Sequence, residues 1–162
     1  MKGNVVGLHV NPNGGVPKLP VEFLEVTFEG CIGDRQRDLR HHGGPKKAVC
    51  LLEHRVMEEL QQEGHPIGPG STGENILIAG LNAGVLAEGV CLRIGNVEVC
   101  ITGDAPPCKT IRTSFLNETF TSLSHRQQRG KTRWYAEVLC EGTVHLGDEA
   151  LVISEDEPIG SR

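Results

Sequence analysis

At 162 residues the chain has the length of one domain with a real hydrophobic core. A net charge of -5 argues against a general nucleic-acid binder, whose surface would be broadly basic. No apolar stretch reaches the length of a membrane span and the N-terminus has no signal-peptide core, so the expected setting is cytoplasmic, with no membrane partner.

Aromatic residues make up only 4% while glycine and proline number 21 and 9, a mix that points to short elements and tight turns. "NVVGLHV" (4–10) reads as a strand ending in the turn "NPNGG". "VEFLEVTFEG" (21–30) alternates in part and gives a second strand, bent after Pro20. "KAVCLLE" (47–53) is a short buried strand. It runs into a helix over "EHRVMEELQQEG", where Val56, Met57 and Leu60 have helical spacing and Gly64 a stop. "ILIAGL" (76–81) is a further strand. "VCLRIGNVEVCIT" (90–102) is a hairpin about Gly95-Asn96, a dipeptide suited to positive φ. Ile111, Phe115, Leu116, Phe120 and Leu123 then recur at three- to five-residue steps and predict one amphipathic helix. "WYAEVLC" and "VHLGDEALVI" form a last pair of strands, and 154–162 is a loose tail. With no repeat and no linker, residues 1–162 read as a single, mainly β domain. The architecture expected is a closed or nearly closed β-barrel with two or so peripheral helices.

Six cysteines in a non-secreted chain give little reason to expect disulfides. They contain no CxxC pair, so no zinc site is expected. Most lie in apolar runs, but Cys108 follows two prolines in "GDAPPCKTI", where a strand ends and a helix is to begin. Free amides and the helix dipole there would favour a thiolate, with Lys109 and Arg112 adding positive charge. A thiolate can attack as a nucleophile, carry a persulfide or ligate a soft metal. An inert, half-buried thiol is the alternative. "GDRQRDLRHHGGPKKAV" (33–49) sets three arginines and two lysines around glycines that bend the backbone. There Arg37, Arg40, His42, Gly43, Gly44, Lys46 and Lys47 could form an anion cradle, or the run could be a solvated loop. "GSTGENIL" (70–77) places Glu74 and Asn75 before an apolar strand, in what could equally be a simple turn.

Taken in order, these blocks and "LRIGNVEVCITGDAPPCKTI" and "RWYAEVLCEGTVHLGDEALVI" resemble the MOSC domain, named after the C-terminal domain of molybdenum-cofactor sulfurases, over about 33–153. The resemblance implies a β-barrel that binds the molybdenum cofactor, a pyranopterin bearing a phosphate. Cys108 would be its molybdenum ligand or a sulfur carrier. Arg40, His42, Gly43, Gly44, Lys46, Glu74 and Asn75 would be cofactor-binding. Relatives carry an arginine shortly before this cysteine where this chain has Asp104 and Ala105. The pyridoxal-phosphate desulfurase domain associated with part of the family is not in this chain, so a separate electron-donor or sulfur-donor protein is implied. Three functions follow: a small oxidoreductase acting on N-hydroxylated or related small molecules, a carrier using a Cys108 persulfide without turnover, or a cofactor-free binding module.

Overall fold

In the computed structural model, residues 2–35 and 44–153 are described, and eleven strands account for most of their regular structure. Seven strands close on themselves in the order β11(Glu149–Val152), β7(Cys91–Ile94), β8(Val97–Ala105), β9(Arg133–Cys140), β5(Val49–Glu53), β6(Ile76–Ala79) and β1(Lys2–Val10), with β1 paired back to β11. The closure removes free edges from the barrel. Short β2(Leu19–Pro20) adds to β1, and β3(Phe23–Thr27), β4(Gly30–Cys31) and β10(Gly142–His145) form a second, three-stranded sheet.

Strand alternation divides the packing into two cores. Leu51, Ile76, Ile78, Leu92, Val99, Trp134 and Ala136 point into the barrel, where all are buried. Leu52 and Leu77 point outward and are covered by α1(His54–Gln62) and the segment after Cys108. This second core takes Val56, Met57 and Leu60 from the helix and Ile111, Phe115 and Leu123 from the segment. The helix spacing read from sequence is thus the one that buries. β5 and β6 are parallel, and α1 is the crossover between them, a β-α-β unit within an otherwise antiparallel barrel.

Three sequence expectations need correction. The region expected as one amphipathic helix is three 3-10 turns, Lys109–Ser114, Leu116–Glu118 and Phe120–Ser122. Asn117 and Glu118 have positive φ, and the Thr119 hydroxyl donates to the Leu116 carbonyl. Serine, threonine and asparagine at this density draw backbone groups into local bonds that compete with a helix. Second, "VHLGDEALVI" is not one strand paired with "WYAEVLC": β9 pairs with β5 and β8, and 144–153 runs from β10 into β11. After Gly147 the chain changes sheet: β10 lies against β3, and β11 against β1 and β7. Third, Cys91 and Cys100 face each other across the β7–β8 hairpin and are joined as a disulfide. Residues directly opposite in an antiparallel pair come close enough for that bond, whatever the chain's compartment.

Candidate functional site

A cleft of about 800 Å³ opens on the outer face of the barrel where neither α1 nor the 3-10 segment covers it. Its floor is set by register. Cys50 on β5 stands opposite Tyr135 on β9, and Arg133, two residues earlier on the same face, stands opposite Ala105 at the end of β8. One wall is the turn containing Gly14, Gly15, Val16 and Lys18, and another is Thr72-Gly73. A third is the run from Pro106 to Ile111 that carries Cys108. Arg35 and Lys47 complete the lining.

The electrostatics are one-sided. Lys18, Arg35, Lys47, Lys109 and Arg133 line the cleft, and no aspartate or glutamate does so among the described residues. Lys18 is neutralised from behind by Asp34 at 2.7 Å. Lys47 lies over the Tyr135 ring, 5.2 Å from its centroid. Arg133 is only 4% exposed, yet among the described residues it has no carboxylate partner. Its Nη1 donates to the Thr72 carbonyl at 2.7 Å, and its Nη2 donates to the carbonyls of Ala105 and Pro106 at 3.3 and 3.1 Å. This fork ties two walls together and fixes the approach to Cys108.

Cys108 is partly exposed in the cleft, with its Sγ 2.8 Å from the Thr110 hydroxyl. A six-residue 3-10 turn follows it, so the macrodipole of a full helix is not available there. Cys50 differs sharply. Burial pushes its thiol up, against the lowering pull of Arg133 and Lys18, and so holds it protonated. Burial also pushes the Tyr135 phenol up, with Cys50 and Cys108 adding to the effect, so it keeps its proton through neutral pH.

Of the residues singled out from sequence, Cys108 lines the cleft. Arg37, Arg40, His42 and Gly43 lie outside the described residues. Gly44, at φ +84, precedes the 3-10 turn Pro45–Lys47. Lys46 on that turn points away from the cleft to an exposed ion pair with Glu137 at 2.7 Å, while Lys47 lines it. Successive side chains on a 3-10 turn diverge by a third of a revolution, which separates the two lysines. Glu74 and Asn75 are fully buried behind the Thr72-Gly73 wall. Glu74 accepts from the Gly70 amide at 2.7 Å and the Thr72 hydroxyl at 2.9 Å. Asn75 accepts from the Cys50 amide at 3.0 Å and donates to the His9 carbonyl at 3.1 Å and to Asp34 at 2.8 Å. They shape the cleft without facing it.

Sequence reasoning missed Lys18, placed Arg35 and Lys47 within the cationic run without their orientation, and missed Cys50, Tyr135 and Arg133. For Arg133 and Tyr135 a signal existed, because strand alternation puts both on the face opposite Trp134 and Ala136. The first three sit beside turns, where no period reports orientation.

Among the described residues no helix is long and apolar enough to cross a membrane, and no group of three or more His, Cys, Asp or Glu side chains is placed to hold a metal ion. The solved structure of YuaD from Bacillus subtilis shares the fold at TM-score 0.76 and 17% identity, covering 94% of this chain and 96% of that one. YiiM from Escherichia coli does so at TM-score 0.67 and 19% identity, covering 98% of this chain and 72% of that one. In sequence, this chain is 27% identical to Escherichia coli YiiM over 125 residues, 75% of this chain and 55% of that protein. It is 32% identical to the uncharacterized protein YflK of Bacillus subtilis over 147 residues, 88% of this chain and 65% of YflK. The chain therefore spans under two thirds of the length of both relatives. Since the model of the MOSC domain also matches residues 38–150, well over half its length, the chain belongs to the MOSC domain family.

Proposed function

We propose that the cleft binds the molybdenum cofactor and that the protein is an oxidoreductase for N-hydroxylated or related small molecules. The observation that carries this reading is the pairing of a cleft whose charged lining residues are all cationic with a partly exposed thiol at Cys108. The residues present fit such a group. Arg35, Lys47 and Lys109 suit its phosphate. Gly73, at φ +85, leaves room that a Cβ would fill to within 3.1 Å of Val16. Cys108 offers one soft ligand, which suits a metal that arrives already chelated.

When bound, that group supplies two-electron redox chemistry at its metal. The chain's own residues then have separable roles. Cys108 would ligate the metal, and the Thr110 hydroxyl would donate to its thiolate. Arg133 would hold the Pro106 carbonyl and so keep the cysteine in place. Tyr135, protonated through neutral pH, would offer a hydrogen bond from the floor. Reduction of an N-hydroxyl to N–H takes two electrons and two protons and releases water, so a separate electron-donor protein is required.

The test is molybdenum analysis of freshly purified protein from cofactor-sufficient cells, together with release of the fluorescent oxidised pterin. Both should be present, and Cys108→Ser should lose reductase activity with an artificial donor. Cofactor with no turnover would transfer the reading to a carrier. Absence of both metal and pterin from cofactor-sufficient cells would remove it.

A further inference from the structure

The three-stranded sheet turns toward solvent a face that the barrel does not use. Along β3, Leu24 and Val26 point inward and are buried, while Phe23 and Glu25 point outward and are exposed. Just past β4 the Ile32 amide donates to the Glu25 carbonyl at 2.8 Å. Ile32 follows inward-facing Cys31, so it joins Phe23 and Glu25 on the outer side. Phe28 and Glu29 form the turn from β3 to β4, where the Glu141 carboxylate accepts from the Phe28 amide at 3.0 Å. Phe23, Phe28 and Ile32 are 54%, 50% and 57% exposed. Of the chain's four phenylalanines, Phe115 and Phe120 pack into the second core, and the other two stand here in water. Large apolar side chains grouped on one small solvent-facing sheet are the mark of a contact surface.

The charge around these side chains has one sign. Residues 21–32 and 141–146 contain Glu22, Glu25, Glu29 and Glu141, all exposed, and no lysine, arginine or aspartate. None of the four carboxylates has a cation partner among the described residues. That sign selects the occupant. Nucleic acid and anionic lipid are repelled. A second copy meeting this face by two-fold symmetry would bring the same four glutamates together with their own copies. We propose that the outer face of the β10-β3-β4 sheet docks a protein whose contact patch is apolar and rimmed by lysine or arginine. Phe23, Phe28 and Ile32 are its apolar centre and the glutamates its rim. Ile32 is three residues before Arg35, which lines the cleft, and so lies within about 11 Å of it by chain length. A partner docked here sits beside the cleft, where a separate electron donor has to come. That role rests on the proposed function, whereas the docking surface rests on this sheet alone.

The probe is a capped synthetic peptide with a leucine-phenylalanine centre flanked by pairs of lysines, titrated into isotope-labelled protein and followed by backbone amide shifts. The largest shifts are expected at Phe23, Glu25, Phe28 and Ile32, and affinity should fall as salt is raised. The same peptide with glutamates in place of the lysines should not bind. Phe23→Ser should weaken binding about tenfold, the scale of an aromatic anchor. Glu25→Gln/Glu29→Gln should weaken it about fivefold, as expected for two exposed ion pairs. All three positions are exposed, so both variants should keep the wild-type urea midpoint. Glu88→Gln/Glu118→Gln removes the same charge from exposed positions elsewhere and should leave affinity within about twofold of wild type. No binding, shifts centred on another part of the chain, or an equal loss in the Glu88/Glu118 variant would overturn the proposal.

Two further measurements separate this surface from its alternatives. In sedimentation velocity, a wild-type dimer that Phe23→Ser dissociates would assign the face to a second copy and overturn the proposal. Phe23 does not line the cleft, so Phe23→Ser should keep wild-type reductase activity with an artificial small-molecule donor. Loss of that activity would make the sheet a support of the cleft and overturn its role as a docking surface. Wild type lacking pterin yet giving the peptide footprint would defeat the proposed function and leave the docking surface standing.

Discussion

Replacing Asn75 with alanine removes three buried hydrogen bonds at once, those to the Cys50 amide, the His9 carbonyl and the Asp34 carboxylate. The first two join neutral groups and contribute about 1 kcal/mol each, and the third, to a charge, about 2 kcal/mol. The fully buried position gives water little chance to replace them. The expected cost is therefore about 4 kcal/mol, a large part of an ordinary domain's stability. With a urea m-value of about 2 kcal/mol/M, the midpoint should fall by about 2 M. Asn75→Asp tests the mechanism at nearly constant volume. It keeps the acceptor for Cys50 but sets a second carboxylate where an amide stood 2.8 Å from Asp34. One of the two acids must then take a proton, so its folded pKa lies above the usual carboxylate range. A group with a raised folded pKa binds its proton more tightly when folded, so the deficit relative to wild type should be largest near neutral pH and shrink as pH falls toward 4. An alanine cost under about 1 kcal/mol, or an aspartate deficit that ignores pH, would refute the assignment of Asn75 as the post behind the cleft wall.

Gly70 has φ +79, and a Cβ there would overlap the Lys18 carbonyl oxygen. Gly70→Ala should cost at least 2 to 3 kcal/mol, roughly, from backbone strain and overpacking together, read by urea melts. Under limiting neutral alkylating reagent at pH 7.5, Cys108 should be labelled before any other cysteine. Cys31, whose thiol burial pushes up to about 12, and Cys50 should stay silent, and Cys91 and Cys100 should appear only after reduction. Peptide mass mapping decides it, and early labelling of Cys50 would count against the buried floor. His9 is buried, and desolvation lowers its pKa below 6.5 against the raising pull of Glu74. A depressed folded pKa means the unfolded chain takes the proton first. Stability should therefore decline as pH falls below about 6.5, and melts of His9→Gln from pH 7 to 5 should show a flatter slope.

The elements that could be read from sequence are those fixed by near neighbours in the chain. The β7–β8 hairpin follows from Gly95, at φ +58, and Asn96 between alternating runs, and α1 from one apolar stripe ending at Gly64. What could not be read depends on distant partners. Nothing local tells β11 to leave β10 and close the barrel against β1. The 3-10 segment misleads for a related reason, since its apolar spacing imitates a helix while leaving Leu116 exposed. In the candidate site, the cationic run from 33 to 49 was visible as chemistry, but orientation was not. Arg35 and Lys47 line the cleft, whereas Lys46 turns away.

The position of the cleft follows from how the barrel is covered. The outward face of β5 and β9 presents Cys50, Arg133 and Tyr135, and the outward face of β5 and β6 presents Leu52 and Leu77. The apolar pair draws α1 and the 3-10 segment onto itself, because burying such side chains is the largest favourable term available. The face bearing Arg133 draws no comparable apolar cover. Ile111 belongs to both regions, buried in the second core and forming the cleft's edge. The turn that seals the core is thus the turn that carries Cys108, three residues before it. Packing at Ile111 and the Arg133 fork at Pro106 therefore hold the cysteine from both sides. A reactive group on an irregular segment acquires its fixed position from those two anchors and not from a helix of its own.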